Sequence, residues 1–97
     1  MRVIKVLIFV SLVLLGSVAS SNAYKDGTAA LEARDFEIAH FMLLEEATNN
    51  NALAQYNLGS MYHVGYGVEQ DKETALMWLT KSAKLGNAWA QLYLGQA

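Results

Sequence analysis

Asp71 to Gly95 reads DKETALMWLTKSAKLGNAWAQLYLG, and a weaker copy of it stands 36 residues earlier, from Asp35 to Gly59. Eleven of the 27 positions paired between 35–61 and 71–97 are identical. They are Asp35/Asp71, Glu37/Glu73, Ala39/Ala75, Leu43/Leu79, Ala47/Ala83, Asn51/Asn87, Ala52/Ala88, Ala54/Ala90, Gln55/Gln91, Leu58/Leu94 and Gly59/Gly95. Small residues and leucines hold their places, so the chain carries an internal repeat, which decides the fold before any single element does.

Within the stretch, Ala75, Trp78, Leu79, Ser82 and Ala83 recur at helical spacing and form one stripe. Asp71 suits an N-cap, Glu73 the positive first turn, Lys81 and Lys84 the negative last turn, and Gly86 a left-handed stop. A helix over about 72–85 follows. Its partner runs from about Ala52 to Val64, with Ala54, Leu58, Met61 and Tyr62 on one face. Gly59 beside them permits close backbone approach, and its recurrence at Gly95 suggests the same use there. GYGVEQ (Gly65 to Gln70) turns the chain between the two helices, and Val68 can tuck back as an apolar plug.

Upstream, Phe36 to Thr48 repeats the second helix of the pair, and Asn49 to Asn51 links it onward. Tyr24 to Ala33 reads as the preceding first helix with a turn four residues shorter: Gly27 precedes Asp35 by eight residues, whereas Gly59 precedes Asp71 by twelve. Downstream, Ala88 to Ala97 reads as another first-type helix. The chain lacks proline and has few β-branched residues after Val18, so strands have little support. The expected fold is all-α: a short right-handed α-solenoid of antiparallel hairpins in the order A-B-A-B-A. The B helix over 72–85, flanked by two A helices, is the expected best-buried element.

The first residues do not read as part of that unit. Arg2 and Lys5 are followed by the apolar run VLIFVSLVLLGSV (Val6 to Val18) and then by small residues through Ala23. Basic, apolar, small is the order of a secretory signal peptide, and a run of thirteen residues, interrupted by Ser11, Gly16 and Ser17, falls short of the roughly 20 that span a bilayer. The expectation is residues 1–23 as a cleaved signal, a secreted or periplasmic mature chain from Tyr24, and membrane contact during export alone. After Ala23 the chain has nine acids and five bases, a net charge of −4. That balance, without basic clusters, argues against nucleic acid as a partner. With no cysteine, neither a disulfide framework nor a cysteine-linked lipid anchor is available.

Ala52 to Asn87 closely resembles the Sel-one-like repeat, a relative of the tetratricopeptide repeat. The matching positions are Ala52, Ala54, Leu58, Gly59, Tyr62, Gly65, Gly67, Val68, Asp71, Ala75, Trp78, Ala83 and Gly86. AWAQLYLG (Ala88 to Gly95) resembles the opening of a second copy, while residues 24–51 lack the GxGV loop and look like a plain tetratricopeptide hairpin. The resemblance implies a protein-interaction scaffold and no chemistry.

The side chains themselves point the same way. Gly65 to Gly67 follows no strand and precedes no Lys-Ser pair, so it is a turn rather than a phosphate loop. His40 and His63, far apart and without cysteine, do not make a zinc site. Glu45 and Glu46 are adjacent and diverge on a helix, so they read as a solvated edge. Ser60 and His63 are three apart but lack an acid to orient them, which leaves a small cell-envelope hydrolase as the weaker alternative. Trp78 and Tyr62 read as core, whereas Trp89, in the place of Leu53, reads as a candidate ligand contact. No cofactor is expected. A solenoid presents its A helices on the concave face, so a protein or peptide partner is expected against Gln55, Tyr56, Ser60, His63, Gln91, Leu92 and Gln96. Two hairpins and one further helix also suggest a marginal monomer, or a homo-oligomer through the last helix.

Overall fold

The computed structural model describes residues 24–95; the signal-peptide reading of residues 1–23, and Gln96, lie outside them. Five helices follow in order: α1 (Gly27–Glu32), α2 (Phe36–Thr48), α3 (Ala52–Val64), α4 (Lys72–Lys84) and α5 (Ala88–Tyr93). There is no strand among the described residues. Each helix packs against the next, and α1 also reaches α3, so the elements stack as successive hairpins. The architecture is the all-α repeat fold read from the sequence.

The helix starts are set by side-chain caps. Asp26 accepts from the Ala29 N–H at 2.9 Å, Asn51 from Ala54 at 2.9 Å and Asn87 from Ala90 at 2.8 Å. Asp71 accepts from the N–H groups of Glu73 and Thr74, and from the Thr74 hydroxyl at 2.7 Å. Asp35, its repeat partner, makes no cap bond and instead accepts from the Tyr24 hydroxyl. The Asp26 cap explains why α1 begins at Gly27 rather than Tyr24.

The Thr74 hydroxyl bond, more than the two N–H bonds, holds the Asp71 carboxyl below the usual aspartate range. A carboxyl depressed by folding stabilises the fold above its unfolded value, about 4, and loses that contribution as pH falls through the lowered folded value. Melting curves of Asp71→Asn are therefore expected to fall less steeply with acid below about pH 4 than those of the parent chain. Parallel acid limbs for the two proteins would overturn this assignment.

Four helix ends share one turn. At Arg34, Asn50, Gly65 and Gly86 the backbone is left-handed, with φ of 63°, 65°, 82° and 96°. In each case the next residue's N–H returns to a carbonyl five residues back: Asp35 to Ala30, Asn51 to Glu46, Tyr66 to Met61, Asn87 to Ser82. The glycine stop read at Gly86 is thus filled by arginine after α1 and asparagine after α2.

The core runs through Ala30, Ala39, Leu43, Ala47, Ala54, Leu58, Met61 and Trp78, with a second cluster at Leu79, Ala83 and Ala90. The stripe of Ala75, Trp78, Leu79, Ser82 and Ala83 is buried as a unit. The most enclosed element is α3 rather than α4: α3 touches α1, α2 and α4, while α4 turns Leu76 and Met77 outward. Gly59 does permit close approach, since a Cβ there would lie 2.8 Å from Leu79 Cγ and 3.1 Å from the Ala75 carbonyl. Gly27 meets Leu43, the counterpart of Leu79, in the same way. Once the shorter first turn is allowed for, the first A helix therefore aligns Gly27 with Gly59. Gly95 is different: nothing lies within 4 Å of a Cβ there, and its φ of 75° makes it a turn residue.

Candidate functional site

The repeat-identical glutamines are fasteners. Gln55 is 2% exposed, and its Nε2 donates to the Ala47 carbonyl at 3.1 Å. One repeat on, Gln91 donates to the Ala83 carbonyl at 3.0 Å. Each ties the first turns of an A helix to the last turn of the preceding B helix. The expectation that Gln55 faces a partner is corrected by its burial: its amide is a second donor to the Ala47 carbonyl, which also accepts the Asn50 N–H at 3.1 Å. Gln91 spends its amide in the same way.

A second set of ties joins the end of each B helix to the start of its own A helix. The Glu46 carboxylate accepts from the Gly27 N–H at 3.0 and 3.2 Å, placing negative charge at the positive end of α1. At the equivalent position the Ser82 hydroxyl donates to the Ala52 carbonyl. Glu46 is therefore not a free solvated edge. Adjacent residues on a helix diverge, and that divergence turns Glu46 inward and Glu45 out.

The GYGVEQ loop folds back on the preceding helix. Tyr66 stacks on Phe36 with ring centroids 5.2 Å apart, and the Arg34 guanidinium lies 5.6 Å from the same ring. Val68 packs against the main core, as the sequence suggested. The Asp71 N–H reaches the Tyr62 carbonyl at 2.9 Å and the Gln70 amide the His63 carbonyl at 2.7 Å, closing the loop over the end of α3.

The A-helix face comprises Leu53, Asn57, Ser60 and Val64 on α3, spaced so that they line one side, and their counterparts Trp89 and Tyr93 on α5. Leu53 is 47% exposed, Val64 51%, Trp89 64% and Tyr93 44%. Of the residues expected here, His63 meets Tyr93 edge-on at 5.2 Å, bridging α3 and α5. Tyr56 packs against Leu79, Ala83 and Ala90 at the rim. Partial burial, with Tyr56 nearby adding to it, raises the Tyr93 phenol above the usual tyrosine value. Leu92 is exposed. Ser60 donates back to the Tyr56 carbonyl at 3.0 Å, so its hydroxyl proton is directed into its own helix and not at His63. His40 pairs with the Tyr62 hydroxyl at 3.0 Å on the opposite side of α3. Among the described residues no group of three or more His, Asp or Glu could hold a metal ion.

Tyr93, Leu53 and Val64 were not singled out from sequence. The available signal was the spacing 53, 57, 60, 64, which is a helix stripe, read together with the 36-residue shift that carries it to 89 and 93.

Stacked two-helix units, repeated at 36 residues and fastened by repeat-identical side chains, define an α-helical repeat protein. Residues 52–87 match the family model of the Sel1 repeat. A sel1-like repeat-containing protein, L21, of Acanthamoeba polyphaga mimivirus is 42% identical over 59 residues, covering 61% of this chain and 11% of the relative. A second, L18 of the same virus, is 40% identical over 43 residues, 44% of this chain and 7% of its own length. The chain thus spans about a tenth of the length of the curated relatives it matches. No solved structure matches it significantly. Sel1-like repeats generally mediate protein–protein interaction.

Proposed function

We propose that this protein is an exported, non-catalytic interaction module that docks a partner protein or peptide on the A-helix face of α3 and α5. The observation that carries the reading is the cluster of exposed apolar and aromatic side chains on that face: Leu53, Val64, Trp89 and Tyr93. Large amphipathic rings of this kind dominate binding energy where they enter a partner's pocket. The basic-apolar-small order of residues 1–23 supports export into a secreted or periplasmic space.

The test begins with the chain from Tyr24 immobilised against an envelope extract, and identification of the captured protein. That protein is then purified and titrated against the parent and against Trp89→Ala and Tyr93→Ala. Affinity is expected to fall at least tenfold for Trp89→Ala, about 1.4 kcal/mol. Equal affinities for all three would remove this face from the reading. Self-association is the second reading, favoured by Leu92. It stands in the place of Tyr56, which α4 covers, yet is itself exposed. Light scattering of parent and Leu92→Lys separates the two, because only self-association makes mass depend on that residue.

A further inference from the structure

The outward sides of the two B helices carry the same kind of row one repeat apart. On α2 it is Glu37, Phe41, Leu44 and Thr48, and on α4 it is Glu73, Met77, Thr80 and Lys84. Steps of four, three and four keep each row on one side of its helix, and every member but Thr80 is exposed. Phe41 is 68% exposed, Leu44 40% and Met77 45%. Phe41, Leu44, Glu45, Thr48 and Asn49 line a shallow recess of about 260 Å³. Exposed apolar side chains gathered in this way and rimmed by charge mark an interaction surface.

The spacing decides what fits it. Four, three, four reads the same in both directions, so each row can lie antiparallel on a second copy of itself with all four positions in register. On α2, Phe41 then meets Leu44 twice over and Glu37 meets Thr48. On α4, Met77 meets Thr80, and Glu73 meets Lys84 in two reciprocal ion pairs. The midpoints of the two rows stand 36 residues apart and are repeat-equivalent, so one two-fold axis along the stack serves both helices. Laying α2 parallel on α4 of another copy would instead set Glu37 on Glu73, a like-charge contact.

We propose that two copies of this chain pair face to face through these rows, antiparallel about that axis, with each Phe41 ring entering the other copy's recess and the Glu73–Lys84 pairs closing the far side. Isologous pairing of this kind uses one patch twice. The A helices take no part, so the pair presents two faces carrying Leu53, Val64, Trp89 and Tyr93. Failure of the pairing and failure of that docking face are therefore separately visible.

Sedimentation equilibrium of the protein purified after expression of the full chain tests the pairing, with dimer expected at micromolar concentration. Phe41→Glu alters an exposed position, so it should keep the parent's circular dichroism while raising the dissociation constant about a hundredfold. Glu73→Lys and Lys84→Glu should each raise it roughly tenfold, and the two together should return it close to the parent value, because the reciprocal pairs are restored in reverse. Leu92→Lys should leave it unchanged. The chain has no cysteine, so Glu37→Cys and Thr48→Cys report the register: with a short bismaleimide each is expected to link to the other and not to itself. A parent that stays monomeric at millimolar concentration, undiminished pairing by Phe41→Glu, charge reversals that add rather than cancel, a dimer lost in Leu92→Lys, or cysteines that link only to their own kind would overturn the proposal.

Discussion

Gln55→Ala is expected to lower the unfolding free energy by about 2 kcal/mol, and Gln91→Ala by less than about 1 kcal/mol, although the two glutamines make the same bond one repeat apart. At the inner position the substitution removes one of two donors to the Ala47 carbonyl, which keeps the Asn50 N–H, and leaves a cavity at a site that is 2% exposed. Part of this is returned because the unpartnered Oε1 disappears with the side chain. At the outer position Gln91 is only partly buried and the Ala83 carbonyl keeps the Gly86 N–H at 3.0 Å, so water fills the place of the lost amide at little cost. Thermal melts read the difference directly: about 2 kcal/mol corresponds to roughly 10 °C in a domain of this size. Equal losses at the two positions would show that the hydrogen bond, and not its burial, sets the energy.

Gly67→Ala is expected to be the more damaging of two glycine substitutions in turns, costing about 2–4 kcal/mol against about 1–2 kcal/mol for Gly86→Ala. Both glycines are left-handed, with φ of 69° and 96°, so both variants carry the same class of backbone strain. They differ in surroundings. A Cβ on Gly67 would collide with Phe36 Cβ and come within 3.2 Å of the Phe36 backbone, whereas nothing lies within 4 Å of one on Gly86. The backbone of Phe36 begins a helix and cannot give way cheaply. The excess cost at Gly67 therefore measures how tightly the loop is seated on α2. Urea unfolding of the two variants side by side tests it: a Gly67→Ala midpoint at or above that of Gly86→Ala would mean the loop lifts from Phe36 without loss.

Much of this was legible in the sequence because the repeat and the helical stripes are local statements. The bounds of α2 and α3, the Asp71 cap, the Gly86 turn and the buried stripe of α4 each depend on residues within a few positions of one another, or on a fixed 36-residue offset. The close approach at Gly59 was legible for the same reason. The misreadings share a cause. Gln55 and Gln91 were assigned to a partner surface because polar side chains on an A helix ordinarily face water, and only the fold shows each donating to a carbonyl at the end of another helix.

The binding face shows the same division. Trp89 could be singled out by its substitution for Leu53, but Tyr93 could not, since its significance is the edge-on contact with His63 across two helices. By itself the sequence determined the helices and their order, because those follow from periodicity, caps and glycine turns along the chain. The tertiary structure alone decided which polar side chains fasten one helix to the next and which remain for a partner. That choice rests on where the ends of different helices meet, and no spacing along the chain records it.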